Sequence, residues 1–292
     1  MGELVTITSG ALTAAISPVG AELWALTDAQ GCELMTDADP RWWTGHAPLL
    51  FPFVGRSRGD VYRLDGREYA MPQHGFARRM AFELVEQLPE AVTFRLEANA
   101  ATQAAYPFKF RLDMQFAVAG ETLMMAATVG NLGMTDMPFS FGYHPAFAWP
   151  LPYGGAVDEH LVEFEKQEPA PIRKVGVEPG LISRDALVSP VEGNLLRPTH
   201  QMFEGDALIW DTLESRSLLW GVPGRKRLKI DFPDTPWLGL WQKPGAHYLC
   251  VEPWAGMADL VGFEGDVWEK QGVMRLLPGD EQRFRMDVTI VD

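Results

Sequence analysis

The sequence predicts an all-β protein, a large antiparallel sandwich. Three observations point to it. Apolar residues recur with a period of two in short runs, which is the pattern of half-buried strands. Helical periodicity is almost absent. The chain of 292 residues also carries 28 Gly and 22 Pro spread along its length, which leaves little room for long helices. Alternating strands bury their apolar faces by stacking two sheets.

The elements follow in order. Runs at 4–8, 12–16 and 22–26 are separated by Gly10, Pro18 and Gly20 and read as a meander. Residues 92–97 alternate cleanly. Residues 111–118 and 122–129 read as a hairpin with Ala119-Gly120-Glu121 at its turn. Residues 228–232 alternate again, and so do residues 283–290, which follow the turn signal Pro278-Gly279-Asp280. The segment 150–198 is richer in Pro, Gly and charge and suggests a long excursion over the surface. Its apolar pairs Leu181-Ile182 and Leu195-Leu196 are not those of a free linker. No fixed-period repeat and no boundary appear, so residues 1–292 are expected to form one domain.

Composition narrows the partners. The chain holds 39 acidic and 25 basic residues, a net charge of −14. Nucleic acid and anionic membrane attract basic surfaces, so neither is an expected partner. The N-terminal stretch has neither the basic nor the apolar region of a signal peptide, and no apolar run approaches a membrane span. The two cysteines, Cys32 and Cys250, lie outside metal-binding spacings and fit free core thiols in a reducing cytoplasm. No metal is expected.

Three segments set titratable residues among Gly, Pro and aromatics: Pro72-Gln73-His74-Gly75-Phe76-Ala77-Arg78, Phe139 to Phe147 with His144 near its centre, and Cys250-Val251-Glu252-Pro253-Trp254-Ala255-Gly256. Gly and Pro aim side chains, and aromatics supply flat walls. A pyranose, with C–H faces and a rim of hydroxyls, needs such a pocket. Trp42, Trp43, Trp241 and Trp254 are candidate stacking surfaces. His46, His160, His200 and His247 are assigned structural places.

These segments, with Leu50-Phe51-Pro52-Phe53-Val54-Gly55-Arg56, Leu208-Ile209-Trp210-Asp211 and the closing LPGDEQRF, resemble the aldose 1-epimerase (mutarotase) family. The order matches over most of the chain. The resemblance implies a galactose-mutarotase-like supersandwich, a monosaccharide substrate and no cofactor. It also implies roles. Glu252 takes the proton of the anomeric hydroxyl, His144 protonates the ring oxygen, and His74 supports His144. Arg56 and Asp211 grip hydroxyls, and Arg78 is a further substrate-binding candidate. Ring opening removes one proton and adds another, so it needs a base and an acid at two oxygens on one carbon.

Ala146 stands where related sequences often carry tyrosine. Arg56, Arg58, Arg78 and Arg79 raise the variant of a hexose-6-phosphate 1-epimerase, since a guanidinium suits phosphate. A sugar-binding module without turnover is the remaining alternative, though a pure binder has no use for a matched acid and base.

Overall fold

The computed structural model of the protein describes residues 3–176 and 178–292. It is built almost entirely of antiparallel strands, and its one α-helix among the described residues is the short Ala100–Ala105. Asn99 caps that helix, accepting from the N–H groups of Ala101 and Thr102.

Two large sheets dominate. One has nine strands, with Arg227–Asp231, Glu281–Val291, Thr122–Asn131 and Phe110–Ala119 at its centre and Glu83–Gln87 at one edge. The other has eight, and its middle is Leu208–Trp210, Trp237–Trp241, Tyr248–Ala255 and Phe141–Tyr143. The N-terminal meander forms a three-stranded sheet of Val5–Thr8, Leu12–Ser17 and Glu22–Asp28.

The expected runs are strands, and the hairpin turns at Gly120 as its sequence asks. The segment 150–198 differs from the expected excursion. Leu161–Phe164 and Leu195–Leu196 join the nine-stranded sheet, while Ile172–Val175 and Ile182–Leu187 form the edge of the eight-stranded one. Pro169 and Pro171 lie on the crossing from the nine-stranded to the eight-stranded sheet, and Pro190 and Gly193 on the return.

One apolar cluster fills the space between the sheets. It takes Phe94, Leu112, Met114, Phe284 and Met286 from one side, and Phe141, Tyr143, Phe147, Leu240, Leu249 and Val251 from the other. Tyr143 ties the layers together. Its hydroxyl donates to the carbonyl of Phe284 at 3.0 Å and accepts from the N–H of Ala127 at 3.1 Å. These two bonds fix the strand end from which His144 emerges.

Candidate active site

The strand Tyr248–Ala255 is buried throughout. Its side chains alternate, as a strand between two layers requires. Leu249, Val251 and Ala255 enter the inter-sheet core, whereas Tyr248, Cys250 and Trp254 belong to smaller clusters on the opposite face. Glu252 falls on that second face by the same alternation. It faces a cavity of about 680 Å³.

Two neighbouring glycines make room there. Gly142 pairs with Trp254, and Gly239 pairs with Glu252. A Cβ on either would come within 2.7 Å of the Trp254 indole. The indole therefore lies flat across the sheet, beside the carboxyl of Glu252.

His144 follows Phe141–Tyr143, and Ala146–Ala148 runs on from it along Tyr248–Ala255. The N–H of Val251 donates to Pro145 and that of Ala146 to His46, which clamps this turn on both sides. Nε2 of His144 lies 3.2 Å from Oε2 of Glu252. Nδ1 has no partner. The Trp43 ring covers the imidazole at 5.0 Å between centroids, and Trp241 meets it edge-on at 5.9 Å.

His74 approaches the same imidazole at 5.7 Å, nearly perpendicular to it. Its backbone is locked by an exchange with Gly55: the His74 N–H donates to the Gly55 carbonyl at 2.7 Å, and the Gly55 N–H donates to His74 Nδ1 at 3.1 Å. An accepting Nδ1 leaves the proton on Nε2 in the neutral ring. The next residue must be glycine: Gly75 has φ +73, and a Cβ there would sit 2.1 Å from the carbonyl oxygen of Phe51.

Burial shifts these groups in opposite senses, because it disfavours whichever form is charged. It pushes the Glu252 carboxyl well above its usual range, reinforced by Asp206 and opposed by the Trp254 indole. It pushes His144 down to about 3, with Arg78 acting in the same sense. His74 is also driven well below its usual value, first by burial and then by His144 and Arg78. Burial therefore favours the uncharged form of each, a protonated carboxyl beside an unprotonated imidazole. A carboxylate with an imidazolium holds the same number of protons, and His144 Nε2 and Glu252 Oε2, 3.2 Å apart, are the atoms that would exchange it.

Glu252, His144, His74 and Arg78 are thus gathered on one cavity. Arg78 donates to the carbonyl of Gln73 at 2.8 Å and keeps a buried Nε without a partner. Burial, with Arg79 nearby, pushes its guanidinium down to about 10. Arg56 and Asp211 lie outside the lining. Arg56 grips Asp60 with two bonds of 2.7 Å, and Asp211 accepts from Arg173 at 2.9 Å. An acid missed in the sequence lines the cavity instead: Asp206, held at φ +83 in the turn before Leu208–Trp210. The Glu204-Gly205-Asp206 turn accounts for its backbone, since an aspartate tolerates positive φ better than most residues. Trp43, Trp241 and Trp254 also line the cavity, as does Lys243.

Both cysteines are free; Cys250 is buried and Cys32 only partly so. Among the described residues, one group has metal-ligand spacing: atoms of His144, Cys250 and Glu252 lie within 4.8 Å of one another. No helix among the described residues is long and apolar enough to cross a membrane.

The sequence profile described as aldose 1-epimerase matches residues 3–275. The chain belongs to the aldose 1-epimerase family. The chromosomal LacX protein of Lactococcus lactis subsp. lactis is 33% identical over 291 residues, covering 96% of this chain and 97% of its own. A galactose mutarotase-like protein from Lactobacillus casei ATCC 334 superposes with a TM-score of 0.91 at 32% identity, covering 99% of this chain and 100% of that one. A galactose mutarotase related enzyme from Lactobacillus acidophilus gives 0.89 at 29%, covering 99% and 97%. The all-β sandwich is therefore the family's mutarotase-like fold.

Proposed function

We propose that the protein is a cytoplasmic aldose 1-epimerase acting on a free aldose, with Glu252 as base and His144 as acid. The supporting observation is the buried pair at 3.2 Å on the wall of a sugar-sized, tryptophan-walled cavity. In the charged form of the pair, the Glu252 carboxylate takes the anomeric O–H proton. The electron pair left on that oxygen forms the C1 carbonyl, and the bond from C1 to the ring oxygen breaks. That oxygen takes the proton from His144 Nε2. Rotation about C1–C2 and reclosure complete the exchange. Ring opening leaves an uncharged carboxyl and an uncharged imidazole, the forms that this buried site favours. His74 Nε2, with the Gln73 side-chain amide beside it at 3.3 Å, is the proposed neutral donor to a sugar oxygen. Arg78 and Asp206 are the proposed hydroxyl grips.

A free sugar fits better than a 6-phosphate. Of the four arginines near the first motifs, Arg56 is committed to Asp60, and Arg58 to Glu178 and Glu264. The cavity sets Arg78 and Lys243 against Glu204 and Asp206, a balance that does not favour a dianion. Polarimetry of freshly dissolved aldoses tests the proposal. Glu252→Gln is expected to lower kcat by roughly 10²- to 10⁴-fold while sugar binding persists. An unchanged rate in that variant, or no acceleration by the native protein across a panel of aldoses, sinks it.

A further inference from the structure

The strand Tyr248–Ala255 puts Cys250 two residues before Glu252, on the same face and packed with Trp43 and Trp241. Its Sγ, a ring nitrogen of His144 and a carboxyl oxygen of Glu252 lie within 4.8 Å of one another, and all three residues are buried. We propose that this trio is a binding site for a thiophilic divalent cation, zinc above all, and that the bound ion blocks the acid–base pair.

The donor set selects the ion. One sulfur, one imidazole nitrogen and one carboxylate oxygen suit zinc, whereas calcium and magnesium require oxygen shells. Zinc bonds of about 2.0–2.3 Å place neighbouring ligands of a tetrahedron roughly 3.3–3.7 Å apart. His144 Nε2 and Glu252 Oε2, at 3.2 Å, fall just short of that spacing, and Sγ, within 4.8 Å, has to close on them for the ion to bind. Charge balances as well. A thiolate, a carboxylate and a neutral imidazole bring two negative charges to a doubly positive ion, so the buried site stays neutral overall. The protons of the thiol and the carboxyl leave to solvent as the S–Zn and O–Zn bonds form. His144 and Glu252 both line the cavity, which leaves the fourth position for water. The ion then occupies the two atoms that the proposed reaction uses for proton transfer, so it inhibits.

Cobalt(II) is the probe, added to the whole protein without sugar, so the reading does not depend on epimerase activity. Near-ultraviolet thiolate-to-cobalt charge transfer and tetrahedral visible bands are expected at one ion per chain, displaced by zinc. Cys250→Ser is expected to remove the charge-transfer band and weaken zinc binding by more than about 100-fold, since even an outer-shell change costs 10- to 100-fold. Cys32→Ser, which alters the other free thiol, is expected to keep both. Absence of a thiolate band in the native protein, or its survival in Cys250→Ser, overturns the proposal. Calorimetry with zinc on native protein and on Cys250→Ala gives the same decision if the serine variant fails to fold.

Discussion

At the residue scale, Trp43 is the neighbour that tells most about His144. Its ring lies over the imidazole at 5.0 Å with a tilt of 31°. An indole face attracts a cation by about 0.5–2 kcal/mol, more when water is excluded. His144 is only 7% exposed and Nδ1 has no partner, so the indole face helps offset the cost of the imidazolium. Trp43→Leu is therefore expected to lower kcat by roughly 2- to 30-fold, the equivalent of that energy, and Trp43→Phe to lower it less. Exchange NMR of the two anomers separates kcat from KM; a loss confined to KM would make Trp43 a sugar platform instead. Residue by residue, the sequence is informative where backbone constraint and chemistry coincide. His74 beside Gly75, His144 before Pro145 and Glu252 before Pro253 are placed by local geometry. Arg56 and Asp211 are not, because a charge takes whichever partner the fold offers, here Asp60 and Arg173. Asp206 is exposed and carries no neighbouring motif, so only the folded turn brings it to the cavity.

At the scale of elements, Trp254 depends on strands on either side of its own. Gly142 and Gly239 keep their Cβ positions empty so that the indole lies across the sheet. Gly239 sits in ordinary strand geometry, so alanine there is opposed by the steric clash alone. Gly239→Ala is expected to destabilise the fold by about 1–3 kcal/mol, the usual cost of overpacking. It should also reduce activity, since the displaced ring borders Glu252. Urea denaturation monitored by tryptophan fluorescence checks the first effect and polarimetry the second. A variant with native stability would mean that the indole has somewhere else to go. This interlock is invisible to a reading by period. Alternation tells which face a side chain takes but not which strand lies alongside. For the same reason Leu161–Phe164 and Ile172–Val175, close together in sequence, end in different sheets.

For the whole molecule, four histidines are held below their usual pKa: His46, His74, His144 and His160. His160 shows why. Its Nε2 accepts from the N–H of Leu151 at 2.9 Å and its Nδ1 faces the carbonyl of Ala156 at 2.9 Å, a set that only the neutral ring satisfies. His46 is pushed down to about 4 by burial alone. Below about pH 6.5 the unfolded chain binds protons at these rings while the folded one does not, so stability falls with pH. Glu22 and Glu252 act in the opposite sense. Their carboxyls are raised by burial, so the folded state holds their protons while the unfolded state has lost them. Asp28, Asp39 and Asp60, whose carboxyls are held below their usual range, act in the same sense as the histidines. His46 isolates one term, because it stacks on Trp24 at 3.9 Å and its Nδ1 has no partner. His46→Phe keeps an aromatic ring on Trp24 and removes the titration. The difference in unfolding free energy between native and variant protein is expected to change between pH 6.5 and about 4, with the native protein losing more. Urea titrations at several pH values measure it. A difference that stays constant across that window would mean that folded His46 takes its proton as readily as the unfolded residue does.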